Sequence, residues 1–196
     1  MYLVEFVTPS WDEIYDITIE LYEKLLQDGF FPDIIVGVAR GGWVPARLLS
    51  DFSENKLTAN MKIEFYADIN QTEEKPRIVQ PISESVENKK VLLCDDVADT
   101  GESLLVAIDH MKEAGASEVR VAALYMKPWS KCNPDYWILE TDKWIVFPWE
   151  RRETITKLYM SLKDENKPLD IIKKELMRTN IEEKYIEKYL KWIQKS

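Results

Sequence analysis

The segment Val91-Leu-Leu-Cys-Asp-Asp-Val-Ala-Asp-Thr-Gly-Glu-Ser103 is an apolar run that ends in paired acids and a glycine-containing turn. Val91 to Cys94 has no polar alternation, so it reads as a strand buried on both faces, the signature of a parallel sheet. The spacing of Leu104, Leu105, Ala107, Ile108 and Met111 predicts a helix directly after the turn. A parallel strand feeding a helix through a short turn restricts the chain to an α/β architecture. It also fixes where chemistry can sit, because open α/β sheets bind ligands at the carboxyl ends of their strands. Asp95 and Asp96 fall at that end, and Asp99-Thr100-Gly101-Glu102-Ser103 brings backbone N–H groups, two hydroxyls and a helix N-terminus to one point, which suits a phosphate. A plain strand–turn–helix with a capped helix would explain the turn, but not two adjacent acids with a third three residues on.

The rest of the chain repeats the alternation. Ser10-Trp-Asp-Glu13 is a capping box, opening a helix with Ile14, Ile17, Leu21 and Leu25 on one face and Gly29 as its stop. Ile34 to Val38 reads as a strand, a helix starts near Pro45, and Met61 to Tyr66 alternates as a further strand. Residues 67–89 are polar and aperiodic, with Pro76 and Pro81, and are expected to form a lid or binding loop. Glu118 to Tyr125 gives another strand, and short strands are expected around Tyr136 to Leu139 and Trp144 to Val146. From residue 151 the pattern is helical, with breaks at Pro168 and near Asn180, where Asn180-Ile-Glu-Glu183 looks like a helix cap. The expectation is a doubly wound, mainly parallel sheet over residues 1–150, with hood elements at about 126–150 and a helical extension over 151–196.

Composition narrows the function. With a net charge of −9 and a pI near 4.8, the chain lacks the basic footprint of a nucleic-acid binder. No apolar run approaches the ~20 residues that span a bilayer, and the start has no basic signal-peptide region, so a cytoplasmic protein is expected. Two cysteines, Cys94 in the central strand and Cys132 in a loop, do not make a disulfide framework. The single histidine, His110, has no Cys or His companion, which argues against His-based metal chemistry.

Residues 91–103 resemble the PRPP (5-phosphoribosyl 1-pyrophosphate) motif of the type I phosphoribosyltransferases, and lack the spacing of a Walker P-loop. Three further segments strengthen the resemblance. Val38-Ala-Arg-Gly-Gly-Trp-Val-Pro-Ala46 follows the first strand of the alternating region. Ala122-Ala-Leu-Tyr-Met-Lys-Pro128 and Asp142-Lys-Trp-Ile-Val-Phe-Pro-Trp-Glu150 are similar to the base-binding part of the small xanthine–guanine (6-oxopurine) enzymes. The similarity is good over residues 30–150 and weak in the 67–89 loop, and the 151–196 tail goes beyond the small enzymes. That tail could be a dimer arm, a cap on the hood or a partner site.

The resemblance implies the type I phosphoribosyltransferase fold and transfer of a 5-phosphoribosyl group from PRPP to N9 of guanine, hypoxanthine or xanthine, with release of pyrophosphate. Ala98, Asp99, Thr100, Gly101, Glu102 and Ser103 would cradle the 5′-phosphate, with the Glu102 carboxylate turned to solvent. Ala39, Arg40, Gly41 and Gly42 would hold the pyrophosphate, with a non-proline cis peptide around Ala39–Arg40. Asp95 and Asp96 would hold the ribose hydroxyls directly or through Mg²⁺, the one cofactor expected. Asp99 would act as general base or acceptor at purine N7. Lys127 would donate to O6, Trp144 would stack on the ring, and Ile145 would meet the exocyclic groups through its backbone. Expected partners are PRPP, a purine base and pyrophosphate, with no nucleic acid or membrane, in a homodimer or tetramer that exposed Trp43 could help form. Two alternatives stay open: transfer to adenine, uracil or orotate, and a silent PRPP-sensing regulator.

Overall fold

The computed structural model describes residues 4–67 and 74–195. The chain divides into two compact units, one of Tyr15–Asp142 and one of Met1–Ile14 with Lys143–Ser196. In chain order the elements are β1 (Phe6–Val7), α1 (Trp11–Asp28), β2 (Ile34–Ala39), α2 (Trp43–Phe52), β3 (Thr58–Ala67), β4 (Glu74–Gln80), β5 (Lys90–Ala98), α3 (Glu102–Glu113), β6 (Glu118–Met126), β7 (Tyr136–Glu140), β8 (Trp144–Ile145), α4 (Arg151–Asp164), α5 (Leu169–Met177) and α6 (Glu183–Ile193).

The larger unit is built on a six-stranded sheet in the order β4-β3-β2-β5-β6-β7. All its pairs are parallel except β3 with β4. Successive side chains leave a strand on opposite faces, and here both faces are dry. Ile34, Val36, Val38, Val91, Leu93, Val121 and Ala123 join Leu104, Ala107 and Met111 of α3 in one cluster. Ile35, Leu92, Cys94, Ala122 and Leu124, of the opposite parity, are equally buried. Such strands read as unbroken apolar runs, which is why β2, β5 and β6 were legible.

The start of α1 follows the capping box: the Ser10 N–H donates to Glu13 Oε2 at 2.7 Å and the Glu13 N–H donates to Ser10 Oγ at 3.1 Å. Its expected face is buried at Ile14, Ile17, Leu21 and Leu25, each contributing about 1.5–3 kcal/mol by removal from water. Gly29, at φ +67°, ends it.

Two expectations need correction. The 67–89 stretch is not all loop, since Glu74–Gln80 forms the antiparallel edge strand β4. An edge strand tolerates Pro76 and charge because one side needs no ladder partner. Of its described side chains only Pro76 and Ile78 are half buried, Ile78 against the core, too short an alternation to show beside exposed Lys75, Arg77 and Val79. Residues 68–73 of the expected lid lie outside the described residues. Asn180 does not cap α6. It takes φ +57° and closes the end of α5, while Glu182 precedes α6 without a side-chain cap; asparagine tolerates that left-handed position well. β7 joins the main sheet beside β6.

In the smaller unit β1 and β8 form a two-stranded parallel ladder. Helices α4, α5 and α6 pack through Ile155, Tyr159, Ile172, Leu176, Ile186 and Leu190, with Val146 and Ile181 in the same cluster. Thr8 Oγ1 donates to the Thr179 carbonyl at 2.5 Å.

Candidate active site

β5 runs four residues further than its apolar core suggests, so Asp95 and Asp96 are strand residues rather than the start of a loop. Adjacent strand residues project to opposite faces, and the two acids separate accordingly. Asp95 shares its side with Val97 and Asp99, and these three line a cavity of about 140 Å³ with Phe65, Thr100, Gly101, Ser103 and Leu104. Asp96 is buried, and its carboxylate abuts Gly41 so closely that a Cβ at Gly41 would collide with it. The acids expected as a pair therefore serve different neighbourhoods, Asp95 the phosphate turn and Asp96 the Arg40–Gly42 loop.

The floor of the cavity is the turn into α3. Gly101 caps that helix at φ +77°, a conformation that residues with side chains rarely adopt. A side chain there would also strike Ser130 and Cys132. The segment after β6 lies along the turn: the Lys127 N–H donates to the Ala98 carbonyl at 3.0 Å and the Lys131 N–H to the Thr100 carbonyl at 2.9 Å. The Glu102 carboxylate, expected to face only solvent, is paired with Lys131 Nζ at 2.5 Å. That pairing offsets its negative charge at the start of α3. The Glu102 N–H donates to Thr100 Oγ1 at 3.3 Å, and the N–H groups that follow it at the start of α3, with the Ser103 hydroxyl, are of the type that can serve an anion.

The second loop follows β2. The Ala39–Arg40 peptide is cis, as the resemblance implies. The Gly42 N–H donates to the Val38 carbonyl at 2.8 Å, and Gly42 opens α2 with no side-chain cap. Arg40 is exposed on a backbone anchored on both sides. A larger cleft, about 1040 Å³, runs along α2 and β3 past Trp43, Arg47, Ser50 and Asn60 and contains none of the expected site residues.

Lys127 directly follows β6 and is only 6% exposed, unlike an ordinary lysine at a strand end. Burial pushes its ammonium below the usual lysine range, and Asp99 and Asp142 partly hold it up. Its Nζ lies 5.4 Å from the ring centre of Trp129, whose indole N–H donates to Asp99 Oδ1 at 3.0 Å. Trp144 and Ile145 belong to the smaller unit. Trp144 is half exposed and Ile145 buried. The N–H groups of Trp144 and Val146 donate to Glu5 and Val7 at 2.9 and 2.7 Å, which turns the backbone groups of Ile145 toward the other edge of the ladder. Trp149 stacks on Phe147 at 4.8 Å, a packing role.

Among described residues, no group of three or more His, Cys, Asp and Glu side chains is placed to hold a metal ion. No helix among them is long and apolar enough to cross a membrane.

The model of the phosphoribosyl transferase domain matches residues 10–153. The chain belongs to the phosphoribosyl transferase family. Xanthine-guanine phosphoribosyltransferase of Gluconobacter oxydans is 29% identical over 150 residues, covering 75% of this chain and 86% of that protein. The crystal structure of a purine phosphoribosyltransferase from Pyrococcus horikoshii superposes with a TM-score of 0.68 at 41% identity, covering 74% of this chain and 94% of that one. A hypothetical protein from Neisseria gonorrhoeae, solved with bound ppGpp, superposes equally well (TM-score 0.68) at 26% identity, covering 76% of this chain and 92% of its own.

Two residues beside this candidate site escaped the sequence reading. Phe65 lines the cavity of Asp95 and Asp99 from β3, and its only signal was position in an alternating strand. Trp129 holds Asp99; Lys127-Pro128 just before it marked the strand end but not the partner.

Proposed function

We propose that this protein transfers the 5-phosphoribosyl group of PRPP to N9 of a 6-oxopurine, forming the nucleoside 5′-monophosphate and pyrophosphate. The observation that carries the reading is the single cavity in which Asp95, Asp99 and the turn from Thr100 to Ser103 meet. It brings two carboxylates beside hydroxyls and a helix N-terminus, which supports binding of a phosphorylated sugar.

In this reading the N–H groups and hydroxyls of residues 100–103 hold the 5′-phosphate. Asp95 accepts from the ribose hydroxyls and stabilises the positive charge that builds on the sugar as the anomeric bond breaks. Arg40 and the backbone of Gly41 and Gly42 take the pyrophosphate, whose oxygen keeps the bonding electrons, while N9 forms the new bond to the anomeric carbon. The proton on N7 passes to Asp99. The Lys127 ammonium donates to O6, a group that adenine lacks. Trp144 offers an exposed ring for stacking, and Ile145 offers backbone groups on an open ladder edge.

Mg²⁺ fits this donor set, since it is commonly held by one or two carboxylates together with substrate phosphates. Asp95 or Asp96 would hold it, and it would neutralise charge on the leaving pyrophosphate. We assign residues 151–196 to a helical extension outside the catalytic fold, and extend the reading to a homodimer or tetramer, for which the half-exposed Trp43 is a candidate contact.

The test is to supply the purified protein with PRPP, Mg²⁺ and, in turn, guanine, hypoxanthine, xanthine, adenine, uracil and orotate. Nucleotide from the 6-oxopurines alone supports the reading. Nucleotide from the other bases alone would keep the PRPP site and overturn the role of Lys127. PRPP binding without turnover on any base would indicate a regulator.

A further inference from the structure

We propose that Trp129 is the positioning residue of Asp99, holding its carboxylate through the indole N–H so that one oxygen stays turned to the purine. The inference rests on the phosphoribosyl-transfer reading. Three contacts, in register, join the segment after β6 to the phosphate turn. Lys127 N–H donates to the carbonyl of Ala98 and Lys131 N–H to that of Thr100, on either side of Asp99. Between them, the Trp129 indole N–H reaches Asp99 Oδ1 at 3.0 Å. Ser130 N–H donates to the Lys127 carbonyl at 3.0 Å, closing the turn that presents the tryptophan.

Trp129 is 53% exposed. Burial of its ring does not explain its place, whereas its one polar atom is used on the candidate base. With Oδ1 committed to the indole, Oδ2 is left to accept the N7 proton, and the carboxylate is held in one orientation. The face of the same ring receives the Lys127 ammonium at 5.4 Å. One side chain thus sets the distance between the group that takes the base's proton and the group that reads its carbonyl. The charged groups facing this cluster are Lys127 and Asp142, with the Lys131–Glu102 pair beside the turn.

Two substitutions separate the parts. Trp129→Phe keeps a ring under Lys127 and deletes the N–H, whereas Trp129→Leu removes both. With PRPP and guanine, Trp129→Phe is expected to lower kcat about 10- to 100-fold, the scale of a catalytic group misplaced by up to an ångström. The KM values for PRPP and base should stay near those of the unaltered protein, because only a transition-state contact is lost. Trp129→Leu should in addition raise KM for the base. Full kcat in Trp129→Phe, beside an active unaltered protein, overturns the role of Trp129 and leaves the proposed function standing.

A second readout needs no turnover. The indole N–H proton resonance of Trp129, assigned by its loss in Trp129→Phe, should move upfield in Asp99→Asn, where the charged acceptor is gone. An unmoved resonance refutes the contact. Absence of nucleotide from the unaltered protein with every base refutes the phosphoribosyl reading, and with it the catalytic purpose of the contact.

Discussion

Replacing Gly41 by alanine adds one carbon to the molecule, and the structure says where it lands. A Cβ on Gly41 would lie 2.5 Å from Cγ and Oδ1 of Asp96, where ordinary contact begins at 3.4 Å. The loop or the acid must therefore yield by about 1 Å, and Asp96 is buried with little room to retreat. A displacement of that size in a substrate-positioning loop costs about 100-fold in rate. Overpacking of this kind also costs about 1–3 kcal/mol of stability. Initial rates across a PRPP series should show kcat/KM for PRPP falling by about two orders of magnitude, with the circular dichroism of the native fold retained. A thermal denaturation cycle with Asp96→Ala isolates the cause: the stability lost in Gly41→Ala should be largely recovered when the carboxylate is also removed. Unchanged kcat/KM in Gly41→Ala, or additive stability losses in the cycle, would refute the argued contact between the Arg40 loop and Asp96.

Asp99→Asn should lower kcat by about 100-fold or more while PRPP binding, measured calorimetrically, is kept; unchanged kcat would remove Asp99 from proton transfer. Lys127→Ala should weaken use of 6-oxopurines by about 10- to 100-fold, the worth of a charged hydrogen bond, and an equal loss on adenine would contradict the O6 contact. Burial pushes both thiols, Cys94 and Cys132, above their ordinary range, so a disulfide reagent should label the protein only as it unfolds; rapid labelling of the native protein would contradict this. Tyr136 donates to Asp28 Oδ2 at 2.6 Å, and burial together with that bond raises its phenol. The raised value favours the folded protein fully below the ordinary phenol pKa of about 10 and is lost as pH rises beyond it. Tyr136→Phe should cost about 1 kcal/mol at neutral pH and flatten the alkaline decline in urea denaturation, and an unaltered decline would contradict it.

The legible parts of this fold were those whose physics is local. β2, β5 and β6 announced themselves as apolar runs because both faces are buried, and α1 because Ser10 and Glu13 cap each other. β4 did not, because only Pro76 and Ile78 among the described side chains of this edge strand are half buried while the apolar Val79 is exposed, which leaves no clear alternation. The residue types of the phosphate turn were readable for the same local reason: Gly101 must take a positive φ and a helix must begin there. The division of labour between Asp95 and Asp96 was hidden until the strand was seen to continue to Ala98, which sends the two carboxylates to opposite faces. Trp129 depends on tertiary pairing of the 127–131 segment with the 98–100 turn. No spacing along the chain encodes that pairing.

A crystal structure with PRPP, Mg²⁺ and a non-reacting 6-oxopurine analogue tests the central claim most directly. The 5′-phosphate is expected on the N–H groups of residues 100–103, the pyrophosphate on Arg40 to Gly42, and Asp99 against N7 with Lys127 at O6. A pyrophosphate bound away from the Arg40 loop, or a base carbonyl turned away from Lys127, would contradict that claim.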